Sequence, residues 1–298
     1  MNLERTLLVY DSVKYFVPYI KEKGVKCFSS FKTVNKLEKV FRRISLNTGL
    51  YKKEWYGEWK NNLTSIETVI VFATNRYDFI EYIADNYPQI RIIVWYWNPV
   101  FRCFNPNDLK RRNIEYWSFD KDDCKKYKLQ YNTTFYFDNI FLKSKSVKHD
   151  VLFLGADKGR KEALVDLKMK LTSQNISTHF HIVSDKNSSN YNQMKPIGYD
   201  KYLELIGASK CIVDYIQVGQ AGLTLRPMES IFLGKKLITN DINIVNEDFY
   251  KAENIFILGH DDFEKISDFI HLPFVDISNG ILKKYDFINW LNRFNINE

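Results

Sequence analysis

Short apolar runs alternate with amphipathic stretches along most of the chain, most plainly in its second half. "DVLFLG" (150–155) is an apolar run closed by glycine, the pattern of a buried strand. "KGRKEALVDLKMKLTSQ" follows it, with Ala163, Leu164, Leu167 and Leu171 near helical spacing. The same reading predicts a strand over 177–183, a loop rich in Asn and Ser over 184–193, a helix over 199–209 and a strand over 210–216. A helix at "TLRPMESIFLG", strands at "KKLITN" and over 254–259, and a helix over 261–272 complete the half. The last helix opens with acidic residues, which suit the positive end of a helix dipole. This order predicts a doubly wound parallel sheet.

The first half is less regular. Strands are expected over 6–12, 25–30, 68–75 and 91–97, separated by helical or loop segments. The polar, basic stretch "FLKSKSVKH" (141–149) separates the halves. The expected domains are therefore 1–145 and 146–298, with 283–294 a helix that crosses back to the first. Two α/β sheets in tandem predict a cleft, with ligands outside the carboxyl ends of the strands.

Composition narrows this picture. The 298 residues suit two domains of roughly 150 each. A hydrophobic content of 45% and a charged content of 27% are those of a soluble globular protein. The longest apolar run, "IIVWYW" (92–97), is strand-sized and far below the ~18 residues of a membrane span. No secretory pattern opens the chain, and the four cysteines lack C-x-x-C spacing, so reduced thiols and a cytoplasmic location are expected.

Charge is unevenly placed. Residues 1–148 hold 26 Lys and Arg against 16 Asp and Glu, a net +10, whereas 149–298 hold 17 against 20, a net −3. A basic first half points to an anionic partner, unless compositional bias alone placed the lysines. Within it, "SFKTVNKLEKVFRRISL" (30–46) carries a helical stripe of Phe31, Val34, Leu37, Phe41 and Ile44 beside Lys32, Lys36, Lys39, Arg42 and Arg43. Two readings stand: a core helix with a solvated basic face, or a helix lying on an anionic membrane at the inner face of the cell. No base-reading motif is evident, so nucleic acid is not expected as a partner.

Two stretches carry candidate chemistry. In "LGADKGRKE" (154–162) a strand ends, Gly155 and Gly159 permit tight backbone paths, and a helix begins near Arg160, with Lys158 adding charge. Such an N-terminus suits a diphosphate, although a plain turn has the same sequence. In "GQAGLTLRPMESIFLGKKLITND" (219–241), a small-residue loop containing Gln220 leads to Thr224, an expected N-cap. Pro227 falls in the first turn, where its missing N–H costs little, and Gly234 ends the helix. Arg226 adds a guanidinium to the same helix start, which makes an anion site. Glu229 sits on an apolar face and needs a partner. Ribose hydroxyls and an i,i+3 bridge to Arg226 both qualify.

These residues resemble a known family. "RPMESIFLGKKLIT" resembles the C-terminal motif of GT-B glycosyltransferases, and 214–250 and 116–136 resemble bacterial capsule and lipopolysaccharide biosynthesis glycosyltransferases. The resemblance implies two Rossmann-like α/β domains facing a cleft and transfer of a sugar from a nucleotide donor to a glycan or lipid-linked acceptor. By position, Glu229 would take the donor ribose, with Thr224 and Arg226 near the diphosphate. Gly155, Lys158, Gly159, Arg160 and Gln220 complete the expected donor contacts. Two departures stand out. Many retaining members have a second Glu eight residues before the ribose Glu, where this chain has Ala221, and "VYDSVKYF" lacks the glycine loop common after the first strand. The stereochemical outcome is therefore open.

A general base on the acceptor hydroxyl would come from Asp11, at the end of the first strand, or Asp78, unless each is a helix-capping acid. Asp120 and Asp122 have the spacing of a metal pair, but helix capping explains them as well. No metal or other cofactor is expected, because the helix dipole, Arg226, Lys158 and Arg160 can balance a leaving diphosphate. A nucleotide-sugar epimerase of the same fold and a non-catalytic sugar- or nucleotide-binding partner of a polysaccharide assembly complex are the alternatives.

Overall fold

The structure, a computed structural model, describes residues 1–10, 14–143, 146–184, 194–217 and 222–295. The chain forms two compact units. The first comprises Met1–Thr133 and Leu291–Glu298, the second Thr134–Trp290. The boundary inferred at 145/146 lies inside the second unit, and the chain rejoins the first unit within its last helix.

Among the described residues the first unit has a parallel sheet of β1 (Thr6–Val9), β2 (Lys26–Phe28), β3 (Thr68–Phe72), β4 (Arg91–Tyr96), β5 (Ile114–Ser118) and β6 (Gln130–Tyr131), in the order β2-β1-β3-β4-β5-β6. The central strands are apolar and buried on both faces, as crossover helices require. Register pairs Val71 with Val94 and Phe72 with Trp95, so side chains of like size stack in rows. Strand β5 was not anticipated. Its "IEYWS" has no apolar run, and its Glu115 takes two hydrogen bonds from Arg91 on β4, at 2.6 and 2.8 Å.

Among the described residues the second unit has β7 (His149–Ala156), β8 (Thr178–Val183), β9 (Ser209–Asp214), β10 (Lys236–Thr239) and β11 (Ile255–Ile257), all parallel, in the order β11-β10-β9-β7-β8. Each falls where the sequence pattern put a strand. Helices Lys161–Ser173, Tyr199–Gly207 and Leu225–Leu233 alternate with them. Leu164, Leu167 and Leu171 of the first pack with Phe153 and Phe180 in one buried cluster.

The tail differs from expectation. Residues 283–294 are not one helix: Asn279–Tyr285 and Phe287–Arg293 are separated by Asp286 in an extended conformation. The break has a partner. The Tyr136 N–H donates to the Tyr285 carbonyl at 2.8 Å, and the Phe287 N–H donates to the Tyr136 carbonyl at 2.9 Å. After the break, Phe287 and Trp290 pack against Phe135 in the second unit. Residues beyond Trp290 join the first unit, where Phe294 meets Trp117 edge-on and Arg293 Nε donates to Asn132 at 2.8 Å. Among the described residues no helix is long and apolar enough to cross a membrane.

Candidate donor site

In the second unit the chain leaves β7 toward β8 on one side and returns to β9 on the other. Such a reversal leaves a crevice outside the carboxyl ends of the two strands, where open α/β sheets bind ligands. Gly155, Arg160, Thr224 and Arg226, four of the eight residues singled out for the donor, meet at this point. Arg160 follows β7, while Asp214 ends β9. Thr224 and Arg226 open the helix Leu225–Leu233.

The helix start forms as its sequence requires. Thr224 is the N-cap, accepting from the Arg226 N–H at 3.2 Å and donating its own hydroxyl proton to Asp214 Oδ2 at 2.8 Å. Pro227 lies in the first turn, and Gly234 closes the helix in the left-handed conformation with φ 62°. The two guanidiniums both lie over the ring of Phe153, with their carbons 5.4 Å (Arg160) and 5.5 Å (Arg226) from its centroid. Arg226 also donates to the Leu154 carbonyl and lies 3.7 Å from Asp214 Oδ1. Arg160 donates to the Tyr215 carbonyl and, at 3.3 Å, to that of Ala156. Gly155 leaves room for the guanidiniums: a Cβ on it would stand 2.9 Å from an Arg226 nitrogen and 3.2 Å from the Phe153 ring, so Arg226 would have to shift. Burial pushes the Asp214 carboxyl above its ordinary range, against the pull of Arg226 and the Thr224 hydroxyl.

Lys158 and Gly159 form the turn after β7, both at positive φ, 50° and 78°. Their side of the helix Lys161–Ser173 differs from the phosphate cradle expected of it. The Lys161 N–H, in the first turn, donates to Asp157 Oδ1 at 2.9 Å. The chain's own carboxylate thus holds a place the sequence reading left to a phosphate. Gln220 lies outside the described residues.

Glu229 is buried, at 1% exposure, inside a set of tyrosines that the sequence did not single out. Tyr202 donates to Oε2 at 2.7 Å and Tyr199 to Oε1 at 3.2 Å, while the Tyr199 and Tyr136 hydroxyls are 2.7 Å apart. Burial raises the Glu229 carboxyl to about 7, with Arg226 and the two phenols opposing the shift. Burial first, and the Glu229 charge second, push both phenols well above their usual range, so they remain donors at neutral pH. Tyr199 and Tyr202 stand one helical turn apart on Tyr199–Gly207, a spacing that in sequence reads only as an apolar face.

The first unit has its own reversal, between β1 and β3, and Asp78 begins the helix that follows β3. Asp11 lies outside the described residues. Asp78 begins the helix Asp78–Asn86, is buried, and accepts from Arg76 Nε at 2.8 Å. Asp120 caps the helix Lys121–Tyr127, accepting from the N–H groups of Asp122 and Asp123 at 2.9 and 3.2 Å. Among the described residues no three His, Cys, Asp or Glu side chains converge as a metal would need.

Two parallel α/β sheets, each with its strand order reversing beside its first strand, define the fold of two-domain GT-B glycosyltransferases. A solved structure similar to this chain is an alpha-glucosyltransferase in complex with UDP-glucose and DNA containing an abasic site. The likeness covers 97% of this chain and 98% of that one with a TM-score of 0.54, at 11% identity, and is therefore one of fold. Neither a known protein family nor a curated protein matches the sequence. The exclusion of nucleic acid is corrected by this comparison. A protein of the same fold is in complex with both UDP-glucose and DNA, so the lack of a base-reading motif does not exclude nucleic acid as a partner.

Proposed function

We propose that this chain transfers a glycosyl group from a nucleoside-diphosphate sugar, held by its second unit, to a hydroxyl of a surface polysaccharide precursor. The observation that carries the reading is the meeting of Arg160, Arg226 and a Thr-capped helix start at the strand reversal between β7 and β9. Two guanidiniums supported by one aromatic ring, at the positive end of a Thr-capped helix, match a diphosphate that gains charge as its bond to the sugar breaks. In this reading these groups balance that charge without a metal. Glu229 takes a ribose hydroxyl in place of its longer bond, the one from Tyr199, and keeps the shorter bond from Tyr202. The polysaccharide acceptor rests on the resemblance of 214–250 to capsule and lipopolysaccharide enzymes.

A nucleic-acid acceptor is the second reading. The net +10 of residues 1–148 and the DNA in the similar structure favour it. The test is isothermal titration of UDP, GDP, CDP and dTDP against wild type, Arg226→Ala and Glu229→Gln, with and without EDTA. Nucleotide release from the matching sugar is then followed with glycan and with duplex DNA as acceptors. One nucleotide should bind, unaffected by EDTA and at least tenfold more weakly in both variants, with release stimulated by one acceptor class. Binding without release under any acceptor would leave a sugar-nucleotide-binding module. No binding of any nucleotide would end the donor-site reading.

A further inference from the structure

The helix Lys36–Thr48 carries an apolar face that none of the described residues covers. It begins with a complete capping box, Asn35 accepting from the Glu38 N–H and Glu38 accepting from the Asn35 N–H, both at 2.9 Å, and it ends at Gly49 with φ 82°. Leu37 is 76% exposed, Phe41 64%, Val40 57% and Ile44 55%. At helical spacing these four fall within an arc of about 100°. Leu46, the helix's buried residue, lies on the opposite side. The helix is held to its unit from that side and from its end. Arg42 donates to the Lys32 carbonyl at 2.7 Å and covers the Phe31 ring, and Arg76 donates to the Leu46 carbonyl at 3.0 Å. Of the stripe read in the sequence, Phe31 and Val34 precede the helix and Phe31 is buried in the core, whereas Leu37, Phe41 and Ile44 lie on the exposed arc. Leu50 and Tyr51, just beyond the helix, are 63% and 80% exposed and extend the patch.

Lys36 and Arg43 lie along one flank of the arc and Lys39 beyond them towards the side of Leu46, and all three are exposed. An exposed aliphatic arc bordered by cations is the layout of a helix lying in a lipid interface. We propose that the helix Lys36–Thr48 docks on an anionic lipid surface. Leu37, Val40, Phe41 and Ile44 enter the acyl boundary, Lys36 and Arg43 meet the headgroup phosphates, and Lys39 adds charge near the surface. Two other occupants fit less well. A second copy would bring the same basic flank against itself. A nucleic acid would satisfy the cations but leave three aliphatic side chains in water, since Leu, Val and Ile offer no stacking surface. The inference stands apart from the donor-site reading and does not depend on it.

The test is flotation of the full chain with phosphatidylcholine vesicles, with and without phosphatidylglycerol. Wild type is compared with Leu37→Ser/Phe41→Ser/Ile44→Ser and with Lys36→Gln/Lys39→Gln/Arg43→Gln. Wild type should float with the anionic vesicles and not with the neutral ones. The charge variant should bind about a hundredfold more weakly, and the apolar variant at least tenfold more weakly, with melting curves like wild type because the replaced side chains are outside the core. As a second readout, Leu37→Cys carrying an environment-sensitive dye should shift to the blue only with anionic vesicles, which reads insertion with most of the apolar face in place. Equal binding by the apolar variant, or a dye that stays in water, would overturn the proposal. So would a concentration-dependent dimer, or binding to duplex DNA, that only the apolar variant abolishes.

Discussion

Removing one hydroxyl from Tyr202 should destabilise the second unit by an amount that depends on pH, because its partner is a carboxylate that titrates near neutrality. Glu229 ionises at about 7 in the folded chain against 4.5 for an exposed glutamate. Between those values the folded state holds a proton that the unfolded state has lost, so stability falls as pH rises through this window and then levels off. A shift of that size corresponds to about 3 kcal/mol lost across the window. Above pH 7 the Tyr202 hydroxyl donates to an ionised, buried carboxylate at 2.7 Å, a bond worth about 2 kcal/mol. At pH 5.5 the carboxyl is protonated and the same bond is worth about 1 kcal/mol.

Tyr202→Phe should therefore cost about 1 kcal/mol more at pH 8 than at pH 5.5, and should raise the Glu229 carboxyl by about one further unit. Urea unfolding followed by tryptophan fluorescence, repeated from pH 5 to 8.5, measures both. Glu229→Gln supplies the control: it should flatten the wild-type slope between pH 5 and 7 and remove the pH dependence of the Tyr202→Phe effect. A Tyr202→Phe cost that is the same at every pH would refute the reasoning, because Tyr202 would then contribute packing alone. A wild-type slope that survives Glu229→Gln would show that another group titrates in the window.

Three further outcomes follow from close contacts. Gly155→Ala places a methyl 2.9 Å from an Arg226 nitrogen, so nucleotide affinity measured by titration calorimetry should fall at least tenfold as the guanidinium is displaced. Gly57→Ala puts a Cβ 2.0 Å from the Ser29 carbonyl oxygen, backbone that cannot move aside cheaply, and should cost the first unit about 2–3 kcal/mol in urea unfolding. Asp120→Ala loses the cap of Lys121–Tyr127 and should cost about 1 kcal/mol, with nucleotide binding unchanged whether or not Mg²⁺ is present.

The second unit was legible because its signals are local. A glycine-closed apolar run gave β7, and Thr224, Pro227 and Gly234 gave the limits of their helix within one turn. What escaped the sequence is held by distant partners. β5 mixes Glu, Tyr, Trp and Ser in five residues and is fixed as a strand by pairing with β4, including the Arg91–Glu115 ion pair. The tail helix breaks because Tyr136, far back in the chain, takes the backbone groups on either side of Asp286. The same holds at the site. Glu229 was identifiable from its motif, but Tyr199 and Tyr202 were not, since two tyrosines one turn apart look like core packing until a carboxylate is found between them. The stripe of 30–46 showed that a helix is amphipathic without showing which way it faces, because direction is set by Leu46, Arg42 and Arg76 together.

Sheet topology accounts for why residues spread over many positions collect at one place in the second unit. A reversal at β7/β9 requires the loops after both strands to diverge, and that divergence leaves their carboxyl ends open. Arg160 and Arg226 reach the gap from the starts of two different helices, more than sixty positions apart. Phe153, on β7 itself, supplies the surface on which both guanidiniums rest, and Gly155 keeps the space beside it clear. Asp214, buried at the end of β9, holds the Thr224 hydroxyl and lies beside the Arg226 guanidinium, so the cap and the cation are fixed by one carboxylate. Among the described residues the site's charge is therefore set by strand ends and two helix starts. The likeness to a glucosyltransferase at 11% identity is one of fold, so what the second unit can bind rests on these few side chains and not on the fold they stand on.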